Sequence, residues 1–120
     1  MGSILVNITH GPEHPFRAVL GLLVAKTGIA EGHQVSVFLA GDATQLIRDS
    51  VLDNLVGMGS GSAREHFDAI AAGGGRFYLS GMSSKARDVT EADIEGKPAE
   101  MVMPDVLVKL AMEHDRLFTY

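Results

Sequence analysis

The chain has 120 residues, a mass of 12.8 kDa and a mean hydropathy of +0.15, with 46% apolar and 21% charged residues. We predict a single domain over residues 1–120, because two separate cores would each be marginal and the hydrophobicity is too high for a disordered chain. Ten basic residues against fifteen acidic ones give a net charge of −5, which argues against nucleic-acid binding as the main role.

Two further features of the sequence restrict its location and chemistry. The longest nearly apolar stretch, Ala18 to Ala25, is far shorter than the roughly 20 residues that span a bilayer. The N-terminal residues lack the cationic region of a signal peptide, so we expect a cytoplasmic protein without membrane contact. The sequence contains no cysteine, which excludes disulfides, thiolate metal ligands and cysteine nucleophiles.

Taken in chain order, the first elements predict an α/β unit. Ile4–Ile8 and Val35–Leu39 are apolar and β-branched, as expected for strands that are covered on both faces. Between them, Pro15–Ala30 is a predicted helix, with proline suited to its first position and Gly32 to its C-terminal end. The segments that follow are predicted as a helix over Ala43–Leu55, a helix from Ser62 to Ala72 and a strand over Arg76–Leu79. A short helical piece then starts at Ser83 or at Thr90 and ends at Gly96. The last predicted elements are a strand over Ala99–Val102, a helix from Pro104 to His114 and a strand over Leu117–Tyr120.

This order of elements predicts a three-layer α/β/α fold with a mainly parallel sheet of about five strands. The first helix has an unusual composition, because its apolar residues surround most of its circumference instead of forming one face. We expect a second subunit to cover the outer side, and packing within a single subunit is the alternative. The residues concerned are Phe16, Val19, Leu20, Leu22, Leu23, Val24 and Ile29.

Three loops follow the three strongest predicted strands, and ligands of open parallel sheets bind where such loops meet. Each loop contains residues suited to binding, and all could meet at one rim. We therefore take the following as candidate ligand-binding residues: His10 and His14 in the first loop, Gly41 and Asp42 in the second, and Ser80, Gly81, Met82 and Ser83 in the third.

Two patterns are similar to ligand-binding motifs but lack essential residues. His10 and His14 are separated by Gly11 and Pro12, so they do not share a helical face, and no third ligand has a recognisable spacing; we predict no metal site. Gly57–Ser62 is rich in glycine, but it has neither the third glycine of a dinucleotide motif nor the lysine of a Walker motif. We predict a flexible loop there and no cofactor.

Asp42 and Ser80 also have simpler structural interpretations. Asp42 is a predicted N-cap of the helix that follows it. Ser80 stands at a strand-to-helix turn, where its hydroxyl is expected to bond to backbone amides. No Gly-x-Ser-x-Gly elbow surrounds Ser80, so the sequence does not favour a hydrolytic nucleophile, and we assign no catalytic residue.

The sequence resembles the DsrE/DsrF-like sulfur-relay family over nearly its whole length. The resemblance implies a DsrE-like fold and assembly into homo-oligomers, whether dimers, trimers or hexamers, and some members transfer sulfur as a persulfide. The segments that carry the resemblance are Ile4–Ile8, His10–Ala18, Gly32–Leu39 with Gly41 and Asp42, and Leu79–Ser83 with Ala86 and Arg87.

One position departs from the sulfur-carrying members of this family. In those members the residue after the third of these strands is a cysteine followed by glycine, whereas this chain has Ser80 and Gly81. Persulfide transfer requires a thiolate, and a hydroxyl cannot replace it. We therefore expect a homo-oligomeric protein that binds a small ligand or a partner protein without carrying sulfur itself. The alternatives are a sulfurtransferase or accessory subunit of a sulfur relay, which would use a partner's cysteine or a bound cofactor, and a purely structural subunit.

Overall fold

Seven strands and six α-helices follow one another in the computed structural model, which describes residues 1–120. The strands are β1 (Ser3–Ile8), β2 (Gln34–Leu39), β3 (Val56–Gly57), β4 (Gly61–Ser62), β5 (Arg76–Ser80), β6 (Ala99–Val102) and β7 (Arg116–Thr119). The α-helices are α1 (Pro15–Ala30), α2 (Asp49–Leu52), α3 (Ala63–Ala72), α4 (Gly81–Ala86), α5 (Glu91–Ile94) and α6 (Pro104–Glu113), and a 3₁₀ helix spans Gly41–Ile47. None of these helices is long and apolar enough to cross a membrane.

Five strands form a parallel sheet in the order β6-β5-β2-β1-β7, which confirms the predicted fold class. From β1 the chain moves through β2 and β5 to the β6 edge, and it then returns across the whole sheet to the β7 edge. Crossovers between parallel strands are right-handed, so the return connection, α6, lies on the opposite face from the helices before it. We call the two sides the α1 face and the α6 face.

The α1 face contains the main core of the protein. A cluster of 21 buried residues joins the strands to the helices, with Phe77 stacked on Phe67 at a centroid distance of 4.6 Å. Gly21 and Gly28 let α1 approach the sheet closely, because a Cβ at either position would collide with Ile8 or Val35. The strand residues in this core are Val6, Ile8, Val35, Val37, Leu39, Phe77 and Leu79.

The apolar circumference of α1 is covered mostly from within the chain. The strands lie on one side of the helix, while α3 and the β3–β4 hairpin lie on the other. Ile29 packs against Gly73 at the end of α3, and Val19 lies beside Gly57 of the hairpin. Phe16 keeps 43% of its surface exposed. Packing within a single subunit therefore accounts for most of the apolar residues that we assigned to a subunit contact.

Two local predictions are wrong. The single helix predicted over Ala43–Leu55 is interrupted at Arg48, which has extended backbone, so a 3₁₀ helix and the short α2 replace it. The carbonyl of Ile47 accepts a hydrogen bond from Lys97, and the Arg48 guanidinium donates to the carbonyl of Asp88; both are distant partners that a local pattern does not include.

The predicted flexible loop over Gly57–Ser62 belongs instead to the antiparallel β3–β4 hairpin. Ser60 is buried there, and its carbonyl oxygen lies 2.7 Å from Nε2 of His66 on α3. The glycines that we interpreted as flexible make the tight turn, since Gly59 and Gly61 have positive φ angles.

The α6 face has a much thinner cover. Leu5 and Phe38 are buried there, and His114 at the end of α6 places Nε2 3.1 Å from the Ser36 hydroxyl. No residue of α6 itself is fully buried. Four of its residues are half-buried against the sheet: Val106, Leu107, Leu110 and Ala111.

Candidate functional site

The candidate residues lie at the carboxyl edge of the sheet, in the loops after β1, β2 and β5. The register aligns Ile8 of β1 with Leu39 of β2, and Leu39 with Leu79 of β5, so these three strands end side by side. The three loops therefore meet along one edge, as the parallel sheet predicts. We call this edge the rim.

The first two loops are in direct contact. Gly11 lies against the backbone of Asp42, and a Cβ at Gly11 would overlap the carbonyl oxygen of Asp42. The Gly11 amide donates to the Glu13 carboxylate at 2.7 Å, which closes the turn after β1. Only glycine at position 11 allows the two loops to approach this closely.

The second and third loops are joined by a hydrogen bond. The Gly41 amide donates to the Ser83 hydroxyl at 2.9 Å, and Gly41 has a φ of +58°, a conformation that favours glycine. Both residues were candidates from the sequence. Their role in this geometry is to hold β2 and α4 together.

Ser80 is the N-cap of α4. Its hydroxyl accepts a hydrogen bond from the Ser83 amide at 3.2 Å, which is the structural role expected for it at a strand-to-helix turn. The next residue, Gly81, lies close to β6, since a Cβ there would stand 3.3 Å from the Val102 carbonyl oxygen and 3.6 Å from the sulfur of Met103. Ser80 is half-buried, between the sheet and the open rim.

Asp42 is not a helix N-cap, so that prediction is wrong. It lies within the 3₁₀ helix, whose N-cap is Ala40, and its Oδ1 accepts from Nε of Arg87 at 2.8 Å. The same guanidinium donates to the Ser83 carbonyl at 3.2 Å. Arg87 therefore connects the second and third loops, and both ion-pair partners remain partly exposed. We did not include Arg87 among the candidate residues, although its spacing of four from Ser83 on a helical segment places the two on one side.

His10 and His14 lie together at the β1 end of the rim. Their rings pack edge to face with centroids 5.3 Å apart, and His14 is exposed while His10 is half-buried. The hydroxyl of Thr9 lies 3.4 Å from Nδ1 of His10. No group of three or more His, Asp or Glu side chains in the chain has an arrangement that could hold a metal ion.

Met82 adds an exposed apolar side chain to the rim, with 62% of its surface accessible. Met103, at the end of β6, is 52% exposed and was not predicted as a rim residue. None of the five main cavities of the protein is lined by Ser80 or Met82. One of them, with a volume of about 470 Å³, is lined by charged residues in and beside α2 and α5 that pair with one another. The rim is thus an open, polar and partly apolar surface.

Comparison with known proteins agrees with this geometry. The DsrE/DsrF-like family matches the chain over residues 2–120. The ychN protein from E. coli, known from a crystal structure, superposes with a TM-score of 0.80 at 13% sequence identity, and the alignment covers 100% of both chains. At this identity the likeness to ychN establishes the fold alone. No curated protein matches the sequence. The family match extends over almost the whole chain, and the protein belongs to the DsrE/DsrF-like family.

Proposed function

We propose that this protein is a homo-oligomeric DsrE-like protein that binds a partner at its rim without carrying sulfur on its own chain. The observation that carries the proposal is the position and the hydrogen bonding of Ser80. It stands where sulfur-carrying members of the family have a cysteine, and its hydroxyl caps α4 by accepting from the Ser83 amide.

The chemistry of persulfide transfer supports the second part of the proposal. A carrier thiolate attacks the outer sulfur of a donor persulfide and forms a new S–S bond, and the donor leaves as a thiolate. A second thiolate later removes the outer sulfur. Each step requires a sulfur atom on the carrier, and this chain has no cysteine that could supply one.

The construction of the rim supports a binding role. Gly11, Gly41 and Arg87 fix the three loops to one another, so the surface is organised before any partner arrives. Small-molecule sites are usually enclosed, whereas this surface is open and presents Met82 and His14 to solvent. Exposed methionine suits contacts with another protein. We therefore favour a protein partner over a small ligand.

Membership of the family favours one alternative, an accessory subunit that presents its rim to the persulfide of another protein. Glutathione persulfide is a suitable probe for this alternative, because it carries the same reactive group. If it shifts the amide resonances of Met82, Ser83 and His14 in NMR spectra, the rim recognises a persulfide. If no rim resonance shifts, the accessory role loses its support.

Mass spectrometry of the intact protein tests the sulfur-carrying part. After incubation with glutathione persulfide and removal of the excess, the wild-type chain should show no added sulfur. A stable gain of one sulfur atom that dithiothreitol removes would contradict the proposal. Ser80→Cys is the positive control, since it restores a thiol at the family's cysteine position.

A further inference from the structure

The outer side of α6 has a pattern that its contacts within the chain do not explain. Pro104, Val108 and Met112 follow one another at intervals of four and are all exposed, with Val108 at 63% and Met112 at 82%. The neighbouring row at the same spacing consists entirely of charged residues: Asp105, Lys109 and Glu113. An exposed apolar row bordered by a charged row resembles the core and the rim of an interface.

Two more exposed apolar residues lie on either side of α6 in the sequence. Met103 directly precedes the helix, and Leu117 of β7, which is 49% exposed, is in register with Leu5 of the α6 face. We call Met103, Val108, Met112 and Leu117 the α6 patch. From their exposed fractions, these four residues leave on the order of 400 Å² of surface, a size at which an apolar patch often has a function.

We infer that the α6 patch is the surface on which a second copy of this chain docks, with the α6 helices of the two copies antiparallel across a two-fold axis. The inference rests on the proposed homo-oligomer and names its surface. A standard interface buries about 800 Å² per partner, and in homodimers about 65% of it is apolar. The patch supplies most of that apolar share.

The geometry of the apolar row fits a copy of itself. Two residues at an interval of four on one helix can pack reciprocally against the same two residues on an antiparallel helix. In this arrangement Val108 of each copy lies against Met112 of the other, while the charged row stays at the solvent border.

The α6 patch is continuous with the rim. The sulfur of Met103 lies 3.6 Å from the Cβ position of Gly81, the residue that follows Ser80. A second copy that covers the patch therefore stands at the border of the rim, and assembly shapes the approach to Ser80 from that side.

Light scattering with charged variants tests the inference. The wild type should have a mass of at least twice 12.8 kDa at micromolar concentration. Met112→Glu should weaken self-association at least 100-fold, because it places a carboxylate in the apolar row that the second copy would cover. The matched control is Met58→Glu at the tip of the hairpin, where methionine is 91% exposed, and it should leave the mass unchanged. Circular dichroism confirms that both variants fold.

A cross-linking experiment tests the same surface without disturbing it. The chain has no cysteine, so Met112→Cys introduces a single thiol that a short bis-maleimide should link into a covalent dimer in high yield. Met58→Cys should stay largely monomeric under the same conditions.

A monomeric wild type at millimolar concentration would overturn both this inference and the proposed homo-oligomer. An oligomeric wild type with equal behaviour of the variants at positions 112 and 58 would overturn only the inference, because the copies would then associate through another surface. Neither result would affect the mass-spectrometric test at Ser80.

Discussion

The two faces of the sheet differ in how completely the chain covers them. The α1 face is closed by several helices and contains a core of 21 buried residues, whereas the α6 face is covered by one helix that has no fully buried residue. The strand order explains the asymmetry, because four strands are laid down in one direction and only the last connection returns. The α1 face therefore supplies most of the stability, and the α6 face together with the rim leaves surface for partners.

The largest expected effect is the contrast between a buried position on the α1 face and an exposed position on α6. Phe77→Ala should lower the free energy of unfolding by about 3–5 kcal/mol, because the ring is fully buried and stacked on Phe67. Val108→Ala on α6 should change the free energy of unfolding of the subunit by less than about 0.5 kcal/mol. Urea denaturation at low protein concentration measures both. Similar losses for the two variants would mean that the outer side of α6 contributes to the stability of the subunit as much as the buried core does.

A smaller effect is expected where two loops of the rim touch. Gly11→Ala should lower the free energy of unfolding by about 2–3 kcal/mol, because the added methyl group would meet the backbone of Asp42 rather than a flexible side chain. The control is Gly59→Ala, whose methyl group would contact no other residue. It should lower the free energy of unfolding by only about 1–2 kcal/mol, because alanine is disfavoured in the left-handed backbone conformation of Gly59. Thermal denaturation ranks the two. A loss at Gly11 no larger than the loss at Gly59 would show that the loops adapt easily.

Two exposed carboxylates, one on each side of the molecule, should give the smallest effect. Hydrogen bonds from Arg64 and then Lys97 lower the pKa of Asp49, and hydrogen bonds from the backbone and hydroxyl of Ser3 lower the pKa of Asp115. A carboxyl whose pKa falls on folding stabilises the protein above its unfolded value, about 4, and loses that contribution as the pH falls through the folded value.

Asp49→Asn and Asp115→Asn should therefore each reduce the difference in melting temperature between pH 7 and pH 3. Asp105→Asn is the control, since Asp105 is exposed on α6 and forms no ion pair. If all three variants keep the pH dependence of the wild type, the hydrogen bonds to Asp49 and Asp115 do not contribute to stability.

Some elements of the fold could be predicted from the local sequence. Buried strands such as Val35–Leu39 and a helix with clear ends such as α1 follow from local composition, so the sheet and its class were predictable. The break at Arg48 and the partner of Asp42 depend on residues about 40 to 50 positions away, which no local pattern contains.

The position of the unpartnered apolar surface was not predictable either. Composition indicated α1, whose residues are more apolar than those of α6, but only the packing shows that α3 and the hairpin cover α1. The rim was partly predictable, because parallel strands bring their carboxyl ends together. The role of Arg87 required the fold.

The central proposal is that Ser80 stands at the position of the family's cysteine, as the N-cap of α4, although it cannot carry sulfur itself. Ser62 provides a matched control, because it is also a half-buried N-cap whose hydroxyl accepts from the amide three residues later, at 3.3 Å. Glu65 stands in the first turn of that helix and would disfavour a thiolate, so the control is Ser62→Cys combined with Glu65→Gln.

The decisive measurement is the rate of alkylation of each cysteine by iodoacetamide at pH 7, while separate, unalkylated samples of the same variants are exposed to glutathione persulfide. We predict that Ser80→Cys reacts at least about tenfold faster than the control cysteine and is the only one of the two to retain a sulfur atom. Equal or slower reaction at position 80 would contradict the account, and Ser80 would then be a helix cap and nothing more.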